Sequence, residues 1–390
     1  MKKLFNNLLF KVVLAILLGI LLGGILPEAI GRVFATLNGL FDQLLKFLIP
    51  LIIVGLIVPS IAKLGDTAGK LLLITIALAY GSTIFAGVSS YAISKIVFPS
   101  LLAGQSISSV AEGGSGLEAY FTLDIPPLFD VMSALAIAFL LGIGLAKMGG
   151  VTLFKMAGDF EVIITFLIEK LIIPLLPIFI FGIFLDMTYG GKVMVILNVF
   201  LKIIGVIFAI HIGMLIIQFI VAGVVSKKNP FKLLITMLPA YFTALGTQSS
   251  AATIPVTLKQ AKKAGVSEEI ANFSIPLCAT IHLSGSMLKI VSCVVALMLL
   301  QDLPMDPLLM FGFILMLGIT MIAAPGVPGG AIMAAIGLIA SMLNFDLENQ
   351  ALMISLYIAM DSFGTACNVT GDGAIALVLD KIAKPKNTIG

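Results

Sequence analysis

Asp361-Ser-Phe-Gly-Thr-Ala-Cys-Asn-Val-Thr-Gly-Asp372 is the stretch on which the reading of the fold turns. It lies inside an apolar run, 350–382, long enough to cross a bilayer as a helix. In that conformation Asp361, Thr365, Asn368 and Asp372 step by four, three and four residues and share one stripe. Leu356, Ile358, Ile375 and Leu377 take the other faces. Two carboxylates, an amide and a hydroxyl at membrane depth cost several kcal/mol unless they meet partners or a ligand. A stripe satisfied by neighbouring helices is one reading. A binding site for a positively charged group is the one these charges favour.

Composition sets the class. Of 390 residues, 60% are hydrophobic and 11% charged, with a mean hydropathy of +1.18. Soluble domains carry roughly 25% charged residues, so this is a polytopic membrane protein and not a globular enzyme. A net charge of +3 is too small to suggest a nucleic-acid partner. Cys278, Cys293 and Cys367 fall in apolar runs without metal-ligand spacing and read as small buried hydrophobes. The N-terminal apolar stretch lacks a small-residue cleavage site and reads as the first span, not as a leader.

Eight segments suit spanning helices: 8–26, 38–62, 70–98, 127–147, 160–187, 193–225, 269–300 and 350–382. Alternate connections hold Lys2 and Lys3, Lys63 and Lys70, Lys147 and Lys155, Lys227, Lys228 and Lys232, then Lys381, Lys384 and Lys386. The opposite set holds only Arg32 and Lys192 among Glu112, Glu118, Asp124, Asp302, Asp306, Asp346 and Glu348. The positive-inside rule then places both termini in the cytoplasm. Two apolar regions do not fit as ordinary spans. The first, 230–258, has lysines at both ends, the later ones being Lys259, Lys262 and Lys263. The second, from 307 to 343, lies between Asp306 and Asp346, and its arms 310–324 and 331–343 are too short to cross. Each breaks in the middle, at Thr247-Gln-Ser-Ser-Ala-Ala-Thr-Ile-Pro255 and at Pro325-Gly-Val-Pro-Gly-Gly330. Two re-entrant helical hairpins entering from opposite sides account for this, since irregular backbone at membrane depth must line a cavity or be packed in protein. Each hairpin is followed by one polar-bearing helix. Such inverted repeats point to the binding site of a secondary transporter. No nucleotide-binding loop is visible, and the Gly/Ser-rich connection at 100–115 reads as external.

At the first break, Ser249, Ser250 and Thr253 flank helix N-termini, which attract carboxylates. Pro255 suits the first turn of the second arm. A Ser/Thr-rich turn satisfying its own backbone is the alternative. At the second break the glycines supply backbone that can approach a ligand closely.

Three motifs, Ser-Ser-Ala-Ala-Thr-Ile-Pro-Val-Thr at 249–257, Gly-Val-Pro-Gly-Gly at 326–330 and Asn-Val-Thr-Gly-Asp at 368–372, resemble those of the glutamate transporter family, the dicarboxylate/amino acid:cation symporters. Leu45-Leu-Lys-Phe-Leu-Ile-Pro50, Tyr80 and Thr83 are similar to its second and third helices. The resemblance implies a homotrimer in the inner membrane. Residues 1–69 and 99–190 (helices 1, 2, 4 and 5) would form a scaffold, and 70–98 with 191–390 a transport domain moving as an elevator. It further implies that Asp361 pairs with a substrate α-amino group. Asn368, Ser249, Ser250 and Thr253 would hold the α-carboxylate, with Thr365 beside the substrate. Gly326–Gly330 would form the gate, bringing Val327, Pro328 and Gly329 to the substrate, and Asp372, with Asn368, would belong to a cation site. No organic cofactor is implied; Na+ or H+ would be the coupling ion.

The departures carry the interest. Acidic-substrate members have an arginine just before the eighth-helix threonine, where this chain has Gly364, and the family arginine before the hairpin serines is replaced by Gln248. Arg32 is the only arginine in the chain, so no guanidinium fork can hold a side-chain carboxylate. Where the family reads Asn-Met-Asp-Gly-Thr, this chain reads His282-Leu-Ser-Gly-Ser286, so Ser284 replaces a sodium-ligating aspartate. As one helix, His282, Ser286 and Lys289 share a face. A lysine this deep either snorkels or needs a partner. A tethered ammonium near Asp372 would stand in for sodium, or couple protons with His282 as the second candidate; otherwise Asp372 keeps one sodium and Lys289 pairs elsewhere. His211 reads as structural. The expected activity is symport of a small amino acid, neutral rather than acidic. An acidic amino acid or dicarboxylate symporter and a channel are the alternatives; an intramembrane hydrolase using Ser249 or Ser250 with His282 lacks a recognisable nucleophile elbow.

Overall fold

The computed structural model describes residues 8–66, 70–103, 117–148, 151–191, 193–324 and 328–383, so Val327 and most of the 100–115 connection lie outside it. Among these residues the chain is all helical, without a strand. In chain order the helices are α1 (Leu8–Gly23), α2 (Glu28–Asp66), α3 (Lys70–Leu101), α4 (Val131–Met148), α5 (Val151–Leu167), α6 (Ile173–Tyr189), α7 (Val193–Ser226) and α8 (Pro230–Thr247). They continue with α9 (Ser250–Lys263), α10 (Glu268–Ile281), α11 (Ser284–Leu300), α12 (Pro307–Ile322), α13 (Gly330–Leu343), α14 (Leu347–Ala359) and α15 (Asp361–Ala383). A single π turn, Ile168–Ile172, joins α5 to α6.

Among the described residues, five helices are long and apolar enough to cross a membrane, or six if the bent pair α14–α15 counts as one. The apolar parts of α1 and α4 are shorter than the 8–26 and 127–147 segments suggest. Gly23, Gly24 and Pro27 end α1 early, and Pro126-Pro127 hold the approach to α4 extended.

The first interrupted region is tighter than expected. α8 begins at an Asn229 cap whose side chain accepts from the Lys232 N–H, with Pro230 in the first position. It ends at Gln248, held at φ +53°, and α9 starts at once from a Ser249 cap. The break is therefore Gln248 and Ser249 alone, and Pro255 lies inside α9, not in its first turn. The far ends of the pair meet: Lys228 Nζ donates to the Ala264 carbonyl at 2.8 Å.

The second pair closes in the same manner. Asp306 caps α12 and Asp346 caps α14. Gln301 and Asn349 exchange side-chain amide hydrogen bonds, joining the chain before α12 to the chain after α13.

Two further breaks were not apparent in the sequence. The seventh apolar segment is interrupted at His282 and Leu283, and the eighth bends by 59° at Met360. The helix carrying the polar stripe thus starts at Asp361 itself, with Leu356 and Ile358 on the preceding arm.

In the packing, α1 lies on α6 and α2 on α4, while α3 lies on α11 and α15 is surrounded by α7, α8, α9, α10 and α11. Small residues allow the closest approaches. A Cβ at Gly19 would stand 2.8 Å from the Phe181 carbonyl. Between α3 and α11, Ser90 donates to the Leu288 carbonyl at 2.7 Å and meets Ser292 Oγ at 2.6 Å. α11 and α15 are buried almost throughout, which is what their polar residues require.

Candidate functional site

α11 and α15 run antiparallel, and their polar residues meet in sequence along the shared face. At one end His282 Nδ1 lies 2.9 Å from Asp372 Oδ1. Midway, Asn368 Oδ1 accepts from the backbone N–H of Gly285 at 2.7 Å and of Ser286 at 3.4 Å. At the other end Lys289 Nζ lies 3.0 Å from Asp361 Oδ1. Each contact answers a local need. The break at His282 and Leu283 leaves the first N–H groups of α11 without helical partners, and Asn368 caps them from another helix. Its Nδ2 donates to Ser286 Oγ at 3.2 Å, which also accepts from the Tyr357 hydroxyl at 3.1 Å. Gly285 is required there, since a Cβ would stand 2.5 Å from the Gly364 carbonyl.

Lys289 is fully buried. Its ammonium stands 3.3 Å from the centroid of the Tyr357 ring and 3.5 Å from the Tyr357 carbonyl. It also fills the volume beside Gly364, where a Cβ would meet Nζ at 2.8 Å and Cε at 3.0 Å. Asp361 Oδ2 accepts from the Gly329 N–H at 2.9 Å, so the second break is tied to the same carboxylate. Lys289 therefore partners Asp361, and not Asp372 as a shared face with His282 suggests. The break before α11 turns His282 off that helix, and Lys289, two turns further on, meets the opposite end of α15.

Asp372 and His282 belong to a second polar chain. Ser82 Oγ is 3.1 Å from His282 Nε2, and Gln218 Nε2 donates to Ser82 Oγ and to Ser284 Oγ, both at 3.1 Å. Ser284 faces this amide rather than supplying a charge. Asn368, one turn from Asp372, is committed to the N-terminus of α11. His211 caps the carbonyl of Gly285 with Nε2 at 3.1 Å, in keeping with a structural role.

A cavity of about 30 Å³ lies between the two breaks, lined by Gln248, Ser250, Thr280, Ser286, Tyr357, Asp361, Thr365 and Asn368 among others. That is space for a few water molecules at most, too little for a whole amino acid unless the lining shifts. Ser250, Asp361, Thr365 and Asn368 of the sequence-derived set line it; Ser249, Thr253, Gly329, Gly364 and Lys289 do not. Thr253 donates to the Ser249 carbonyl at 2.8 Å and meets Thr247 Oγ1 at 2.8 Å, bracing the turn. Thr365 donates to the Asp361 carbonyl at 2.9 Å. Pro328 is half-buried beside Gly329.

Sequence reading missed Tyr357, Ser82 and Gln218. Gln218 is one of four strongly polar residues, with Asn198, Lys202 and His211, in the apolar run 193–225, and a polar residue at such depth is itself the signal that finds it. Ser82 and Tyr357 carry weaker marks, being hydroxyls beside Tyr80 and one turn before Asp361.

Among the described residues, an all-helical arrangement of apolar spans, with buried charged partners and a polar-lined cavity at its helix breaks, has the architecture of a membrane transporter. A family model for the sodium:dicarboxylate symporters matches residues 8–382, and the chain belongs to that family. The family transports and does not catalyse, and membership implies sodium as the coupling ion. Among similar curated proteins are the serine/threonine transporters SstT of three strains of Acinetobacter baumannii. Each is 26% identical over 391 residues, covering 96% of this chain and 96% of its own length.

Proposed function

We propose that the chain is a cation-coupled symporter of a small neutral amino acid. The observation that carries this is the Lys289–Asp361 pair beside Gly364. Around the cavity the fixed charges of Asp361 and Lys289 cancel, so a zwitterion leaves the sum at zero. An acidic substrate adds a buried negative charge with no arginine to meet it. The small hydroxyl- and amide-lined cavity agrees, and so does the serine/threonine name of the relatives.

In this reading Asp361 holds the α-amino group, and Asn368 with Ser249, Ser250 and Thr253 orients the α-carboxylate. Thr365 faces the substrate side chain. Val327, Pro328 and Gly329 form the gate, which the bond from Gly329 to Asp361 favours. Asp372 takes the coupling sodium when His282 gives way. Eight spans and two opposed re-entrant pairs make an elevator. Residues 1–69 and 99–190 are the scaffold of a homotrimer, and 70–98 and 191–390 its moving part. The joined ends of both interrupted pairs and the packing of α3 on α11 support that division. The carrier sits in the inner membrane with both termini cytoplasmic.

Counterflow in proteoliposomes tests the reading. Serine, threonine or alanine should exchange saturably and compete better than aspartate, glutamate or a C4 dicarboxylate. Aspartate outcompeting them at neutral pH would overturn the neutral assignment, and non-saturable flux would make the protein a channel. Acidic substrate is the second reading, favoured by one fact: the Lys289 ammonium lies against Gly364, where acidic-substrate relatives carry their cation.

A further inference from the structure

Asp361 is asked to hold two ammonium groups, one from the protein and one from the substrate. Its Oδ1 is taken by Lys289 and its Oδ2 by the Gly329 N–H. Lys289 has a second resting place at hand, since the face of the Tyr357 ring and the Tyr357 carbonyl already lie at 3.3 Å and 3.5 Å. A desolvated ammonium over a tyrosine face keeps part of its stabilisation.

We propose that Lys289 is a tethered counter-ion for Asp361, displaced by the substrate's amino group and returned when the substrate leaves. The proposal rests on the reading of Asp361 as the amino-group partner. A symporter must bring its unloaded site back across the membrane, and a lone carboxylate there is costly in a medium of low dielectric. With Lys289 on Asp361 the unloaded pair is neutral. On loading, one ammonium replaces another at the carboxylate, Lys289 moves onto Tyr357, and the substrate α-carboxylate supplies the balancing charge. For a neutral amino acid the formal charge of this part of the site is then the same loaded and unloaded. An acidic substrate breaks the equality by one charge, a basic one by the opposite charge. Gly364 is part of the device, because a side chain there would occupy the space in which the lysine end lies. The Gly329 bond carries the exchange at Asp361 to the second break.

The test compares net uptake of radiolabelled serine into substrate-free proteoliposomes with serine–serine exchange, under matched cations. In the parent the two rates should be comparable. Lys289→Met leaves Asp361 unpaired in the empty carrier, and the ratio of net uptake to exchange should fall about a hundredfold or more. Serine binding, read by thermal shift, should tighten in this variant because its competitor is gone. Lys289→Arg keeps the charge and should keep most of the ratio. A parent that exchanges but cannot perform net uptake overturns the proposal without any variant. An unchanged ratio in Lys289→Met, with exchange measurable, overturns it too while leaving the amino-acid assignment intact. A parent that exchanges no neutral amino acid removes the assignment and the proposal together.

Discussion

At Gly364 the missing side chain decides where Lys289 can lie. A Cβ there stands 2.8 Å from the ammonium and 3.0 Å from Cε, so Gly364→Ala pushes the lysine off its line to Asp361. We expect that variant to lose about 1–3 kcal/mol of stability. The loss should shrink in a Lys289→Ala background, and thermal unfolding of the four proteins of the cycle measures the coupling. At Asp361 the expectation is larger. Asp361→Asn strands a buried ammonium, a change worth about 3–5 kcal/mol, and serine binding should become undetectable by thermal shift. Near-parental affinity would remove Asp361 from the site. At Asp372, which His282 faces at 2.9 Å, Asp372→Asn should abolish the sodium dependence of uptake. Persistence of that dependence places the coupling cation elsewhere.

Among the elements, the broken helices matter most, because at two of the breaks freed backbone N–H groups are met by a side chain of another helix, Asn368 before α11 and Asp361 at Gly329. Asn368 does this for α11, and Asn368→Ala should cost about 0.5–2 kcal/mol of stability, visible as a lowered melting temperature even without substrate. The residues of this contact were legible in the sequence. Asp361, Thr365, Asn368 and Asp372 step by four, three and four, while His282, Ser286 and Lys289 step by four and three. Two such stripes laid antiparallel match His282 with Asp372 and Lys289 with Asp361. The pairing itself was not legible, because spacing along one helix carries no information about the direction of its neighbour. The breaks at His282 and Met360 also escaped. Neither has a glycine or proline at the break; before α11 it is Asn368, from another helix, that meets the freed N–H groups, and local propensity gives no sign of it. The breaks flanked by serines and by Gly-Val-Pro-Gly-Gly carry their own turn chemistry and were visible for that reason.

At the scale of the molecule, both interrupted pairs end where they begin. Lys228 reaches the Ala264 carbonyl, and Gln301 clasps Asn349. Cysteines introduced at Lys228 and Lys262 should therefore react with an impermeant reagent from the same side, the cytoplasm. Cysteines at Asp302 and Glu348 should react from the opposite side. Labelling of 228 and 262 from different sides would turn α8–α9 into an ordinary crossing and undo the inverted repeat. The lysine distribution carries that orientation, and the two clasps agree with it without depending on it.

The buried ion pair also orders the birth of the protein. Lys289 and Asp361 are 72 residues apart, so the ribosome delivers the ammonium to the insertion machinery well before its carboxylate. A lysine or an aspartate at the centre of a lone helix costs about 2.5–3.5 kcal/mol on insertion. α11 therefore carries an uncompensated charge until the eighth segment emerges. Held beside the translocon until then, α11 and α15 can partition together as a neutral unit. In a nascent chain stalled before Asp361 a cysteine introduced in α11 should stay reactive toward a water-soluble reagent, and extending the stalled chain past Asp372 should protect it.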